Sequence, residues 1–112
     1  MNPTVNAGTA DATQGTSTAT AVTANSNAGT ITCFTSTLAA LTAVSFTVNN
    51  SSVGANSTVT AAICGYAGTV FTDGTPYCFV NTVANGSFVV TVCNLHATVA
   101  LAGVLKISYR VS

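Results

Sequence analysis

The chain has 112 residues, 48% of them hydrophobic and only 4% charged, with two acids, two bases and a formal net charge of zero; a typical soluble domain is about 25% charged. Two cations cannot build the basic patch that neutralises nucleic-acid phosphates or holds an anionic membrane surface, so both partner classes are excluded. The mean hydropathy of +0.57 comes from Val and Ala alternating with Thr, not from a run of about 20 apolar residues that could cross a membrane as a helix; the longest apolar patch, Leu38 to Phe46, is interrupted by Thr42 and Ser45.

Length alone sets one domain with one modest core, hiding roughly 65% of the unfolded surface. Residues 1–15 are rich in Asn, Thr, Ala and Gly without any period, and read as an N-terminal arm. Such an arm either frays or docks on a neighbouring subunit as an added strand. The domain proper spans 16–112. Thr16 to Ala24 alternates hydroxyl and small apolar residues as a weak strand, and Asn25 to Gly29 is turn chemistry. Thr30 to Phe34 is a short strand with Ile31 and Cys33 on one face. Ser36 to Ala43 is Leu/Ala-rich but too short for an independent helix, and reads as a loop. Val44 to Asn49 and Thr58 to Gly65 are strands, the first with Val44, Phe46 and Val48 inward, the second with Val59, Ala61 and Ile63 on one face. Asp73-Gly74 and Asn85-Gly86 are turns on either side of a strand at Tyr77 to Thr82, and Pro76 marks an edge or a strand start.

The clearest pattern is in the last thirty residues. Ser87 to Asn94 puts Phe88, Val90 and Val92 on one face; Val104 to Ser112 alternates Leu105, Ile107, Tyr109 and Val111 with Lys106, Ser108 and Arg110. Side chains in a strand alternate between faces, so both basic residues lie on the outward face of the final strand. Seven or eight strands broken by Gly/Asn/Ser turns about every ten residues predict an all-β, single-domain, antiparallel sandwich or jelly-roll-like barrel.

The inventory for chemistry is thin. Asp11 and Asp73 fall in the arm and in a turn, so no carboxylate pair is on offer for acid–base work. His96 directly follows a strand, where a structural hydrogen bond or a subunit contact outweighs a catalytic base. No phosphate-binding loop or nucleophile elbow is present. Cys33, Cys64, Cys78 and Cys93 are separated by 31, 14 and 15 positions, without the paired clusters of a zinc site. They are either free thiols serving as small hydrophobes or one of three disulfide connectivities. Met1-Asn2-Pro3 lacks the basic and apolar regions of an export signal, which leaves the sequons at Asn49, Asn50, Asn56 and Asn85 little meaning. The reading is not an enzyme, with no cofactor and no metal. A neutral surface of Thr, Ser, Asn and Ala suits a protein packed against copies of itself or a partner.

Taken together, Gly29-Thr30-Ile31-Thr32, Ser45-Phe46-Thr47-Val48-Asn49-Asn50-Ser51, Val59 to Ile63, Ala84 to Asn94 and Asn94-Leu95-His96 running into Leu105 to Val111 resemble the small capsid decoration (cement) proteins of tailed bacteriophages. The resemblance covers most of residues 16–112 and lies in β-sandwich patterns; the four cysteines fall outside it. It implies a jelly-roll-like structural protein of the virion, usually a homotrimer. Such a protein sits on the outer capsid surface against the major capsid protein, is assembled in the host cytoplasm, and reinforces the shell. Asn2, Pro3, Thr4 and Val5 of the arm would then contact the capsid, and Leu95 and His96 the neighbouring subunit. A second reading is a tail or head-fibre module binding a host surface glycan, with Tyr66, Phe71 and Tyr77 around Asp73-Gly74 as the stacking aromatics.

Overall fold

The computed structural model describes residues 9–111. Eight strands form two four-stranded sheets. They are β1 (Thr9–Thr13), β2 (Val22–Thr23), β3 (Ala28–Thr32), β4 (Ala43–Asn49), β5 (Val59–Tyr66), β6 (Pro76–Ala84), β7 (Ser87–Asn94) and β8 (Leu105–Val111). Sheet A has the order β1-β3-β8-β5 and sheet B the order β2-β4-β7-β6. β7 and β8, the two strands with the cleanest alternation, are therefore inner strands of opposite sheets. β8 sits between β3 and β5, while β7 sits between β4 and β6, so the chain crosses between the two sheets of a β-sandwich around one core.

Three expectations change. The sandwich is not purely antiparallel: β1 pairs parallel with β3, and β2 parallel with β4. The weak strand of 16–24 shrinks to Val22–Thr23, because only Val22 and Ala24 of that stretch are buried and bare alternation of Thr with Ala has little to hide. Finally, residues 9–13 of the expected arm are β1, in register from Thr9 opposite Ala28 to Thr13 opposite Thr32. A composition without large apolar residues hid this strand, because its partner is backbone. Asn2, Pro3, Thr4 and Val5 lie outside the described residues.

The core is filled from both sheets. Ile31, Leu105, Ile107 and Tyr109 from sheet A meet Phe46, Val48, Phe88 and Val90 from sheet B, all buried. The rings of Phe88 and Tyr109 lie 5.5 Å apart at 48°, a tilted aromatic contact across the sheets. The Tyr109 hydroxyl is satisfied at 3.2 Å by the carbonyls of Ala24 and Ser26. Each such apolar side chain contributes about 1.5–3 kcal/mol on leaving water.

Both edges on one side of the sandwich are guarded without charge. β5 has a bulge between Ile63 and Gly65; β6 starts on Pro76 and is bulged between Val80 and Thr82. Bulges and proline interrupt the row of free backbone groups that would template another strand. The β6–β7 hairpin turns at Asn85-Gly86, with Gly86 at φ +88°, where a Cβ would be strained.

Candidate functional site: the apolar loop end

The two ends of the sandwich differ in chemistry. One end carries the β2–β3 turn, the β4–β5 loop and the β6–β7 turn, built from Asn25, Ser26, Asn27, Asn50, Ser51, Ser52, Asn56, Ser57 and Asn85. The other carries the β3–β4, β5–β6 and β7–β8 loops. Seven large apolar side chains are exposed among the described residues: Phe34, Leu41, Val70, Phe71, Tyr77, Phe79 and Leu95. Five lie on those three loops, and Tyr77 and Phe79 lie in the half of β6 that leads away from them. None lies at the Asn/Ser end.

Three buried amides brace the loops, two at the apolar end and one at the polar end. Asn94 continues the inward alternation of Phe88, Val90 and Val92, so the register of β7 drives an amide into the interior. Its Nδ2 donates to the carbonyls of Leu38 at 3.1 Å and Val99 at 2.8 Å. Its Oδ1 accepts from the backbone N–H of Thr75 at 3.1 Å and of His96 at 3.0 Å. One side chain thus fastens all three loops and uses both donors and both acceptor positions. Gln14 does the same for the segment after β1: it donates to the carbonyls of Thr18 and Thr20 and accepts from the N–H of Phe34 at 3.0 Å. Asn50 is the counterpart at the polar end, donating to Ser26 O at 2.7 Å and accepting from Ser52 N–H at 2.8 Å.

On this frame sit two residues in unusual backbone. Leu41 has φ +56° and Phe71 has φ +74°, and they are among the most exposed apolar residues, at 69% and 70%. A left-handed backbone disfavours a residue with a Cβ by roughly 1–2 kcal/mol. Leu41 is held by its N–H to Asn94 O at 3.0 Å, and Phe71 by its N–H to Gly74 O at 2.8 Å. Gly74, at φ +89°, closes that turn at a point where a Cβ would lie 2.8 Å from Leu101 Cδ2.

Several side chains singled out from the sequence come to this end. Leu95 is exposed, following Cys93 on the outward parity of β7. His96 is half-buried and its Nδ1 accepts two backbone N–H groups, from Thr98 and Val99, each at 3.0 Å. It is the structural cap of its own loop. Tyr66 ends β5, and its hydroxyl donates to Asp73 O and accepts from Ala102 N–H, so it braces the β5–β6 loop against the β7–β8 loop. Phe71 stands at the tip of the β5–β6 loop. Tyr77 lies on the outward face of sheet B, opposite Cys93 in register and with its ring 6.1 Å from that of Phe79. The sequence reading missed Phe34, Leu41, Val70, Phe79 and Asn94. Of these, Asn94 alone carried a signal, as the polar residue on an apolar parity.

Three of the four acidic and basic side chains lie elsewhere. Asp11, Lys106 and Arg110 are on the outward face of sheet A, where Asp11 and Arg110 join Thr30, Thr60, Ala62 and Ser108 in lining a shallow depression of about 550 Å³. Asp73 is within the β5–β6 loop, where its carboxylate accepts from Thr69 N–H at 2.9 Å. Among the described residues no three His, Cys, Asp or Glu side chains gather as a metal ion would need. All four cysteines are free thiols. Burial pushes the Cys33 thiol up to about 12, with a smaller push from Cys78. Burial likewise raises Cys78 to about 11, with Cys64 and Cys93 adding to it. Both stay protonated and unreactive at neutral pH.

No family model, no curated protein and no solved structure matches this chain.

Proposed function

We propose that this chain is a structural protein of a virus shell, a decoration protein of a tailed-phage head, and that it docks through its apolar loop end. The carrying observation is the pair Leu41 and Phe71. Both are large, apolar, exposed and in left-handed backbone. Nothing in the fold benefits from a leucine or a phenylalanine there, since Asn or Gly would take that conformation at lower cost. Such a combination persists where the side chain has a partner outside its own chain. The surrounding loops offer apolar area and backbone polar groups with hardly any charge, which is the composition of an interface core. The family resemblance supplies the major capsid protein as that partner, the outer capsid surface as the location and an oligomer as the assembly.

The decisive experiment is to count this chain in purified particles against the major capsid protein. A ratio near one copy per capsid subunit supports a protein distributed over the shell. A handful of copies per particle removes the decoration reading and moves the chain to a tail or fibre.

A further inference from the structure

We propose that the shallow depression on the outward face of sheet A binds a monosaccharide unit that carries one carboxylate. This goes beyond shell docking. The depression lies on a face of the sandwich rather than on the loop tips, and the free chain is enough to test it.

Strand register builds the site. Two consecutive rows of outward side chains cross the sheet. One runs Asp11, Thr30, Ser108, Ala62 over β1, β3, β8 and β5; the next runs Ala28, Arg110, Thr60 over β3, β8 and β5. The side chains of the floor are small, so a volume of about 550 Å³ stays open above them, within the size range of small-molecule sites. Asp11 and Arg110 stand exposed at its rim, with the half-buried Thr30 and Ser108 between them. Among the described residues no hydrogen bond or ion pair occupies the Asp11 carboxylate, the Arg110 guanidinium or the Thr30, Thr60 and Ser108 hydroxyls. On sheet B, by contrast, the outward hydroxyls of Ser45 and Thr91 bond each other at 2.9 Å.

Charge and spacing select the ligand. Arg110 offers a planar fork of donors that matches one carboxylate in a bidentate pair. Asp11 is an acceptor only and suits hydroxyl donors. A multiply charged anion such as phosphate meets like charge at Asp11. The two residues are two strands apart and two positions out of step, which sets their Cα atoms roughly 12 Å apart. A free amino acid, whose charges sit on adjacent groups, does not span that distance. A sugar acid does: its carboxylate pairs with Arg110, its far hydroxyls donate to Asp11, and the hydroxyls between meet Thr30, Thr60 and Ser108, which both donate and accept. The small floor residues let the ring lie close to the sheet. The depression covers only one side of such a ring, so a single site is weak, with a dissociation constant of about 1–10 mM. Many copies on one particle, the reading proposed above, would multiply that affinity by avidity.

The test is an amide NMR titration of the free, isotope-labelled chain in about 0.15 M salt. The probes are glucuronic acid and N-acetylneuraminic acid, with glucose and acetate as controls that lack the carboxylate and the ring. At least one sugar acid should give saturable shifts at Thr30, Ser108 and Arg110, and the tighter of the two identifies a uronic-acid or a sialic-acid glycan as the source. Glucose and acetate should bind at least tenfold more weakly. Arg110→Gln should raise the dissociation constant at least tenfold and Asp11→Ala should raise it as well, with the shifts of core amides unchanged. Lys106→Gln, which removes the cation on the same face outside the depression, should leave it as it is. Absence of saturable shifts at the depression, acetate binding as tightly as the sugar acids, or an Arg110→Gln chain that binds like the parent would overturn the proposal. No shell takes part in these titrations, so their failure leaves the docking reading standing, and failure of shell binding leaves this site standing.

Discussion

At the scale of single residues, conformation and exposure pull against each other at Leu41 and Phe71. Replacing either by Asn should leave the unfolding free energy unchanged or raise it by up to about 1 kcal/mol, since Asn tolerates left-handed backbone. The same changes should weaken shell binding at least tenfold. Urea unfolding and a particle sedimentation assay check the two halves. Asn94 behaves in the opposite way. Asn94→Leu keeps the volume but strands two carbonyls and two N–H groups, and should cost about 3 kcal/mol or more, read as a lower urea midpoint with faster hydrogen exchange in all three loops. The buried thiols add a pH dependence. Above pH 9 the unfolded chain ionises its cysteines while folded Cys33 and Cys78 keep their protons, so the folded state binds more protons there. Their contribution is complete below about pH 9 and is lost as pH rises towards 11 and 12. A Cys33→Ala/Cys78→Ala variant should show a flatter fall in stability over that window than the parent chain.

At the scale of strands, stability is concentrated where the chain is most regular. Val90→Ala in β7 and Ile107→Ala in β8 remove fully buried side chains from inner strands, and each should cost about 2–4 kcal/mol. Those two strands were the most legible in the sequence, because an inner strand of a sandwich buries one face along its whole length and so must alternate. β4 and the edge strand β5 were legible because each also buries one face against the core. β1 was not, since Thr9 to Thr13 holds its place through backbone pairing with β3, which leaves no mark on side-chain pattern. Parallel pairing at β1 and β2 was invisible too, because direction is set by how the chain crosses between sheets. The consequence for the arm is practical. Removing residues 1–15 would strip β1 from sheet A and take Gln14 with it, so only removal of residues 1–8 separates arm contacts from the fold. The candidate site was half legible. Leu95, Phe71 and Tyr77 stood out by residue type, whereas Leu41 and Phe34 stand out only once three loops distant in sequence are seen at one end.

At the scale of the molecule, the chain is an elongated body, 44 Å long and 24 by 23 Å across. It has one apolar end, one Asn/Ser end, one face with charge and one without. The strand ends that lead to both termini, at Thr9 and Val111, lie at the Asn/Ser end. The apolar loops therefore lie at the opposite end of the sandwich from Thr9 and Val111. A charge content of 4% gives little protection against association, so the proposed docking would also cover surface that charge does not guard.

The claim that matters most is that the loop end makes the contact. The direct measurement is saturation binding of the purified chain to shells lacking it, comparing the parent with Leu41→Asn/Phe71→Asn. The account predicts stoichiometric saturation by the parent and at least tenfold weaker binding by a variant that is equally or more stable. Equal saturation by the two proteins would contradict it.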